Sequence, residues 1–597
     1  MYKLLRLPTW RIVPAVALVA AACAVPVLFS CQQPVSSVRV SPRGPELPSD
    51  PWFADVTEEV GLDFVHDAGP LPLPGDAKGA EVKNGYFMPQ IMGSGVALFD
   101  FNNDGLLDIY LLQNGGPEGA KNRLYQQLPN GHFKDVSAGS GLDFAGYNMG
   151  VAIGDVNNDG LPDVLVTQYG GVKLFLNNGD GTFTDVTEEA GLKNPGWGSS
   201  AAFLDFDRDG WLDLVIVNYV AYDPNKPPRR PDEPPDYAGP NDFPGQAARL
   251  FRNCGPITGA KGKSVRFEDV TKASGLGDLP GRGLGVACAD FDGDGWPDIL
   301  VANDGEANHL WINRHDGTFH DEAASRGLAL NRMGVSEANM GIALGDVFSS
   351  DLFDVFITHL SMETNTLWTQ DPRGRFQDRT VATGLTRTHW RGTGFGTVLG
   401  DFDQDGRLDL AVVNGQVTRV AKPEDEALGP HWSRYAERNQ LFAGEGQGRF
   451  REISNFNSAF CGRNNVARGL AYGVFNREGA LDLFVTTAGD KARLFRNVAP
   501  NRGHWLLVRV VDAKLGGRDA YGAEVRVFMG NRRWLRLVNP ASSYMCSNDA
   551  RAHFGLGSVE RVDSIEVRWP DGAVETFPGC DTNQQVVLSK GEGTPGN

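Results

Sequence analysis

Short apolar runs recur along most of the chain: IYLL from Ile109, VLVT from Val164, LVIV from Leu214, ILVA from Ile299, VFIT from Val355, LAVV from Leu410 and LFVT from Leu483. Glycine-rich stretches such as GSGVALF, GVAIG and GLGVACA come shortly before them. Runs this short, rich in β-branched residues and bounded by turn formers, predict β-strands and leave no place for long helices. After Asn497 the pattern changes. GHWLLVRVVD, YGAEVRVFMG, RRWLRLVN and DSIEVRWPDG alternate apolar and polar positions, as a small all-β domain with one buried face would. At the other end Lys3, Arg6 and Arg11 precede an uncharged run from Ile12 to Ser30, the layout of an export signal.

The strands belong to an internal repeat. Between each glycine-rich stretch and its apolar run lies the nine-residue pattern D-x-[DN]-x-D-G-x-x-D, intact from Asp100, Asp155, Asp205, Asp290 and Asp401 and eroded from Asp346 and Val474. A second motif, FADVT at Phe53 and its variants at Phe133, Phe183, Phe267, Phe319, Phe376 and Phe450, alternates with the loops. A third, led by Leu124, Leu174, Leu250, Leu310, Leu441 and Leu494, falls between them and reads LxxN in its clearest copies. Seven units over residues 52–500 give roughly 64 residues each, enough for a four-stranded blade with generous loops. A linear stack of such sheets would expose two apolar ends, and a closed ring exposes none. The expected fold is therefore all-β: a seven-bladed β-propeller over 52–500, then a small C-terminal β-domain over 501–590 and a tail at 591–597. Two insertions, one rich in proline between the third and fourth loops and one after the sixth, should cover a face of the ring as flaps.

The acidic loops carry the chemistry. Several carboxylates within nine residues repel one another unless a cation sits among them. Oxygens at positions 1, 3, 5 and 9, with a backbone carbonyl at position 7, make a hard donor set suited to calcium, and glycine at position 6 permits the bend. The candidate ligands are Asp100, Asn102, Asp104, Leu106 and Asp108; Asp155, Asn157, Asp159, Leu161 and Asp163; Asp205, Asp207, Asp209, Trp211 and Asp213; Asp290, Asp292, Asp294, Trp296 and Asp298; and Asp401, Asp403, Asp405, Arg407 and Asp409. An EF-hand is excluded, because position 12 is Leu111, Val166, Ile216, Val301 or Val412 rather than glutamate. About five structural Ca2+ ions are expected, with the two eroded loops empty or weak.

The net charge of −18 argues against nucleic acid as a partner. Leu28-Phe29-Ser30-Cys31 resembles a lipobox, so residues 1–30 read as a lipoprotein signal, Cys31 as the lipidation site and 31–51 as a Pro- and Ser-rich tether. An uncleaved anchor is the alternative, and either reading exports the chain to the cell envelope, as a periplasmic or surface protein held at a membrane. Beyond Cys31 five cysteines remain, with no CxxC spacing; Cys546 with Cys580 is the one pair to expect.

With DxDxDG after GVAxxD and FxDVT between copies, the repeats resemble FG-GAP and VCBS repeats. The tail, with NRGHWLLVRV, GGRDAYGAEVRV, HFGLG and VRWPDG in order, resembles the ASPIC and UnbV domain. Together they are similar to the cartilage acidic protein family. That resemblance implies a seven-bladed propeller, an extracellular setting, bound calcium and no enzyme activity. The leading functional expectation is a binding or adhesion module for a protein or glycan. The alternatives are an extracytoplasmic lyase or hydrolase using face loops, or an envelope assembly factor; the chain shows no Ser-His-Asp order, HExxH or phosphate-binding loop.

Overall fold

Each glycine-rich stretch pairs with the apolar run after it as an antiparallel hairpin around an acidic loop. In the second sheet Asn148–Gly154, Asp163–Gln168, Gly171–Asn177 and Phe183–Asp185 follow one another as neighbours. The computed structural model describes residues 50–71, 86–225, 236–259, 263–423 and 426–596. The signal at 1–30, Cys31 and nearly all of the tether lie outside the described residues. Those that are described belong to one compact unit, 48–597. Among them, no helix is long and apolar enough to cross a membrane.

Seven sheets of this kind make a β-propeller, numbered below as blades 1 to 7 from the loop at Asp100 to the loop at Val474. Their first strands touch in a closed cycle, from Val96–Phe99 round to Ala467–Gly473 and back. The ring is joined by its ends. Phe53–Asp55, from the first FxD motif, is the outer strand of blade 7 and pairs with Arg493–Asn497. First strands are almost wholly buried, as in Gly198–Leu204 and Gly283–Ala289, because a blade packs on each side of them. That crowding explains the glycines. A Cβ on Gly285 would sit 2.2 Å from the Met340 carbonyl oxygen, and one on Gly341 2.1 Å from that of Phe395.

The other two motifs are fasteners. In FxD-x-[TS], the aspartate accepts from the residue two on, and that hydroxyl in turn accepts from the third strand: Thr187 N–H donates to Asp185 (3.0 Å), and Leu174 N–H donates to Thr187 Oγ1 (2.9 Å). The asparagine of LxxN reaches the preceding blade. Asn177, Asn253, Asn313 and Asn497 each donate to the position-2 carbonyl of the loop before, at 2.8–2.9 Å. Gln370 and Gln127 do the same in blades 5 and 1. The Gln127 bond, to Phe475 of blade 7, runs across the seam of the ring.

Residues after 503 form two further sheets. One joins Arg518–Asp519, His504–Asp512 and Ala552–Gly557, with Gln584–Ser589; the other orders Arg532–Leu537, Glu524–Met529, Ser564–Arg568, Val574–Pro578 and Thr594–Pro595. Their core, including Val510, Val525, Phe554 and Trp569, runs continuously into Phe203 and Leu214 of blade 3. This domain also sends a hairpin, Ala541–Ser542 and Cys546–Ser547, into the axis of the ring, where Ser547 pairs with Ala97 of blade 1. At its tip Ser543 exchanges backbone hydrogen bonds with Ile342 of blade 5, and Met545 bonds to Val151 and Ser200 of blades 2 and 3. Tyr544 packs edge-on against Phe395 of blade 6, with centroids 4.9 Å apart. The expected Cys546–Cys580 disulfide is therefore absent: the hairpin carries Cys546 into the ring among Leu98, Leu111 and Ala471, while Cys580 stays with the outer core, both as free thiols.

The flaps close the opposite end. They join second to third strands, whereas the acidic loops join first to second, so antiparallel geometry places them on the other face. Tyr237 Oη meets His431 Nε2 at 3.0 Å, and Asp236 accepts from Tyr435 Oη and Arg419 N–H. Beneath lies an aromatic layer of Trp197, Tyr219, Tyr222, Phe243 and Trp432.

Candidate metal loops and the domain that covers them

Position 1 of an intact loop is an acceptor for the loop's own backbone. Asp104 and Gly105 N–H groups donate to Asp100, and Asp159 and Gly160 N–H groups donate to Asp155, all at 2.8–3.1 Å. Two left-handed residues allow it: position 6, as in Gly105 (φ 85°) and Gly406 (φ 93°), and position 4, as in Asn103 (φ 55°) and Gln404 (φ 58°). The position-6 requirement was visible as the invariant glycine of the intact copies; the position-4 requirement was not, because that residue varies.

Position 9 ends the loop and begins the second strand. Asp108, Asp163, Asp213, Asp298 and Asp409 are buried, and each accepts one N–H from position 2 and one from the third strand; for Asp108 these are Phe101 (3.1 Å) and Gln127 (2.7 Å). Burial, reinforced by neighbouring carboxylates, pushes Asp108 up to about 8 and Asp163, Asp213, Asp298 and Asp409 well above the ordinary carboxylate value. Asp155, Asp205, Asp290 and Asp403 rise to about 6, again chiefly through burial.

The carboxylates converge unevenly. Oxygens of Asp205, Asp207 and Asp213 lie within 4.8 Å of one another, as do those of Asp401, Asp403 and Asp409, so positions 1, 3 and 9 meet in blades 3 and 6. In blade 4 the group is Asp290, Asp292 and Asp294, with Asp298 outside it. Blades 1 and 2 carry asparagine at position 3, and Asn102 donates to Asp104 at 2.9 Å. At position 7, Leu106, Leu161, Trp211, Trp296 and Arg407 point their N–H groups at the position-5 carboxylate, at 2.8–3.0 Å. One observation fits a hard cation. The buried oxygens Asp205 Oδ1 and Asp403 Oδ1 have no hydrogen-bond donor among the described residues.

Sequence reasoning missed the protein's own side chains that answer these carboxylates. Lys263 bonds Asp159 (2.8 Å), Arg252 bonds Asp207 (2.7 Å), Arg326 bonds Asp292 (3.0 Å), His315 meets Asp294 (2.6 Å), and Arg407 turns back on Asp405. The C-terminal domain adds more. Arg568 reaches Asp290 at 3.1 Å, and Arg518 donates to Asn158 at 2.9 Å between the loops of blades 2 and 3. In the eroded blade 5 loop Asp351 occupies position 6 with φ 67° and pairs with Arg526 at 2.9 Å; in blade 7 Glu478 pairs with Arg502 at 2.9 Å. Apart from Arg407, which sits in its own loop, these partners lie tens to hundreds of residues from the carboxylates they meet, so no local pattern announces them.

His504, His553, Trp505 and Trp569 form no common site. His553 bonds the Gly479 carbonyl (2.8 Å), Trp505 covers the same glycine, Trp569 is in the core, and His504 meets Asn583 (2.7 Å).

Family models match both the repeats and the C-terminal segment. The FG-GAP-like repeat family matches residues 100–166, 155–216 and 290–349, and the ASPIC and UnbV family matches 514–595. Cartilage acidic protein 1 from Mus musculus is 26% identical over 385 residues, 55% of this chain and 57% of that protein. Its Homo sapiens counterpart is 27% identical over 369 residues, 52% and 53%. The chain thus spans little more than half the length of the relatives it matches. Among solved structures, Saccharomyces cerevisiae Sqt1 aligns with a TM-score of 0.37 at 10% identity, over 67% of this chain and 83% of that one. The chain carries FG-GAP-like repeats and an ASPIC and UnbV segment on a β-propeller with a C-terminal β-domain.

Proposed function

We propose that this chain is an exported, calcium-stabilised propeller that acts as a binding or adhesion module for a protein or glycan at the cell envelope. Lipid on Cys31 would hold it to a membrane, and about five ions would sit in the intact loops. The observation that carries the calcium reading is the pair of orphaned, buried carboxylate oxygens on Asp205 and Asp403, each inside a group of three converging carboxylates. Protein cations satisfy the outer oxygens of several ligands and leave these two bare. A divalent ion at each focus would offset the burial cost that raises these carboxylates, and it would lock the loop that joins the first two strands of the blade. Such ions are structural, so the work of the molecule falls to its surfaces: flaps on one face, the covered acidic loops on the other. The similarity to cartilage acidic protein 1 supports the extracellular part of this reading.

Metal analysis of the mature protein after exhaustive dialysis tests it. Calcium near five per chain is expected, and a chelator should lower the thermal midpoint by about 10 °C or more, because several ions bind the folded state alone. A metal-free protein whose midpoint ignores both chelator and added calcium would make the loops ordinary turns.

A further inference from the structure

The C-terminal domain does not seal the whole acidic face. Between it and blades 7 and 1 lies a cleft of about 820 Å³. One wall is the eroded loop of blade 7, the other is the intact loop of blade 1 with the turn after Gln127, and the roof comes from the outer domain around Gln584.

Erosion has thinned the acidity of the blade 7 loop and put a basic side chain in it. The first carboxylate is replaced by Val474, the third position is Asn476 and the fourth is Arg477, which is exposed and without a partner among the described residues. Arg496, from the third strand of the same blade, lines the cleft as well, and its buried Nε has no acceptor. The other charges nearby are mostly paired, apart from Glu59, an exposed carboxylate that lines the same cleft. Glu478 pairs with Arg502 (2.9 Å) and Arg551 with Asp549 (2.6 Å). Asp104 belongs to the intact loop and accepts from Leu106 N–H. Arg477 therefore faces the open cleft with its fork unused, and Arg496 lines the cleft beside the buried Asp482 carboxylate with its Nε unpaired.

From this we infer that the cleft is a binding site for an anionic oligosaccharide, carboxylated or sulfated. A planar guanidinium matches a carboxylate or sulfate through paired, charge-assisted hydrogen bonds. The remaining lining is rich in side-chain amides, including Asn476, Asn583 and Gln585, and an amide both donates to and accepts from sugar hydroxyls. The volume is that of a small-ligand cleft rather than of a flat protein interface. A cation held by the blade 1 loop, which lines the same cleft, would add charge of the same sign. The inference deepens the binding-module reading and rests on it.

The test is calorimetric titration of the mature, calcium-equilibrated protein at low salt with four probes: tetragalacturonate, a sulfated tetrasaccharide, neutral maltotetraose and hexaglutamate. At least one anionic saccharide should bind about tenfold more tightly than maltotetraose, and Arg477→Glu should weaken it about tenfold or more, the scale of one lost charge-assisted pair. Arg477 is exposed on a loop, so this variant keeps its fold; Arg496→Gln, checked for an unchanged thermal midpoint, should weaken the same probe. No binding of either anionic saccharide, equal binding of maltotetraose, or full binding by Arg477→Glu overturns the proposal. Tighter, Arg477-dependent binding of hexaglutamate overturns the saccharide class and makes the site one for acidic peptide. Metal counts on the same samples keep the two readings apart, since absence of calcium defeats the first while leaving an arginine-dependent titration intact.

Discussion

His66 is held neutral by a chain of defined hydrogen bonds. Gly489 N–H donates to Nδ1 (3.3 Å), which puts the ring proton on Nε2 facing Ser94 Oγ (3.1 Å), and Ser94 donates onward to the Asn148 carbonyl (2.8 Å). A second ring proton would break the first of these bonds and charge a buried group beside Arg468. Burial, with Arg468 adding to it and Asp67 opposing, lowers the His66 pKa to about 4 from an ordinary 6.5. Because the native ring is the weaker base, the unfolded chain takes up the proton first as pH falls. The contribution is complete above about pH 6.5 and is lost progressively toward pH 4. His359 and His553 shift in the same direction, also through burial, so a difference between variants is the informative measurement. Urea unfolding at pH 7 and pH 5 should cost the native protein about 2 kcal/mol more than His66→Gln over that interval. Identical losses would mean that the imidazole is protonated in the folded state.

Strand-level contacts explain why some motifs carried more meaning than their spacing revealed. Asn253 donates from its side chain to the Val156 carbonyl of the blade before and to Leu212 of its own blade, at 2.8 and 3.0 Å. Asn253→Ala should cost about 1–3 kcal/mol in chemical denaturation, since it leaves the buried Val156 carbonyl without a donor. Asn253→Gln should recover part of that, as Gln127 and Gln370 already serve in blades 1 and 5. Equal stability of Asn253→Ala and the native protein would show that the bond is replaceable by water. In the sequence this residue was only the last letter of LxxN. The acidic loops, the first strands and FxD-x-[TS] were legible because their determinants are local: a left-handed Gly105, a close approach at Gly285, a turn capped by Asp185. The third motif could be located but not interpreted, because its partner lies 97 residues away for Asn253 and 348 for Gln127. The same distance hid the guanidinium groups over the loops, and with them the correction that part of the acidity is neutralised by protein. Residues 539–549, NPASSYMCSND, alternate with neither period 2 nor period 3.6, so nothing marked them as the insert in the axis.

That insert decides how the molecule holds together. A ring of seven first strands encloses apolar side chains of Met149, Leu284, Met340, Phe395 and Val466, which would face water if the axis were open. Tyr544 and Met545 fill it from the side of the acidic loops, and the aromatic layer under the flaps fills it from the other. The outer domain is fixed to the ring a second time by arginines over the loops, among them Arg518, Arg526 and Arg568, where a chain of net charge −18 would otherwise repel itself. Propeller and C-terminal domain therefore share one core and should unfold as one cooperative unit, despite the two sequence families they contain. Calorimetry in calcium-containing buffer should give a single transition. Tyr544→Ala should lower stability by about 3–5 kcal/mol, because it empties a fully buried aromatic site at the axis, while the transition stays single. Arg526→Ala removes the partner of both Asp351 (2.9 Å) and the buried Glu524 (2.8 Å), so it should cost about 1–3 kcal/mol. Two well-separated transitions in the native protein would place the boundary of cooperativity near residue 500. The hairpin would then be a passenger in the channel rather than the element that closes it.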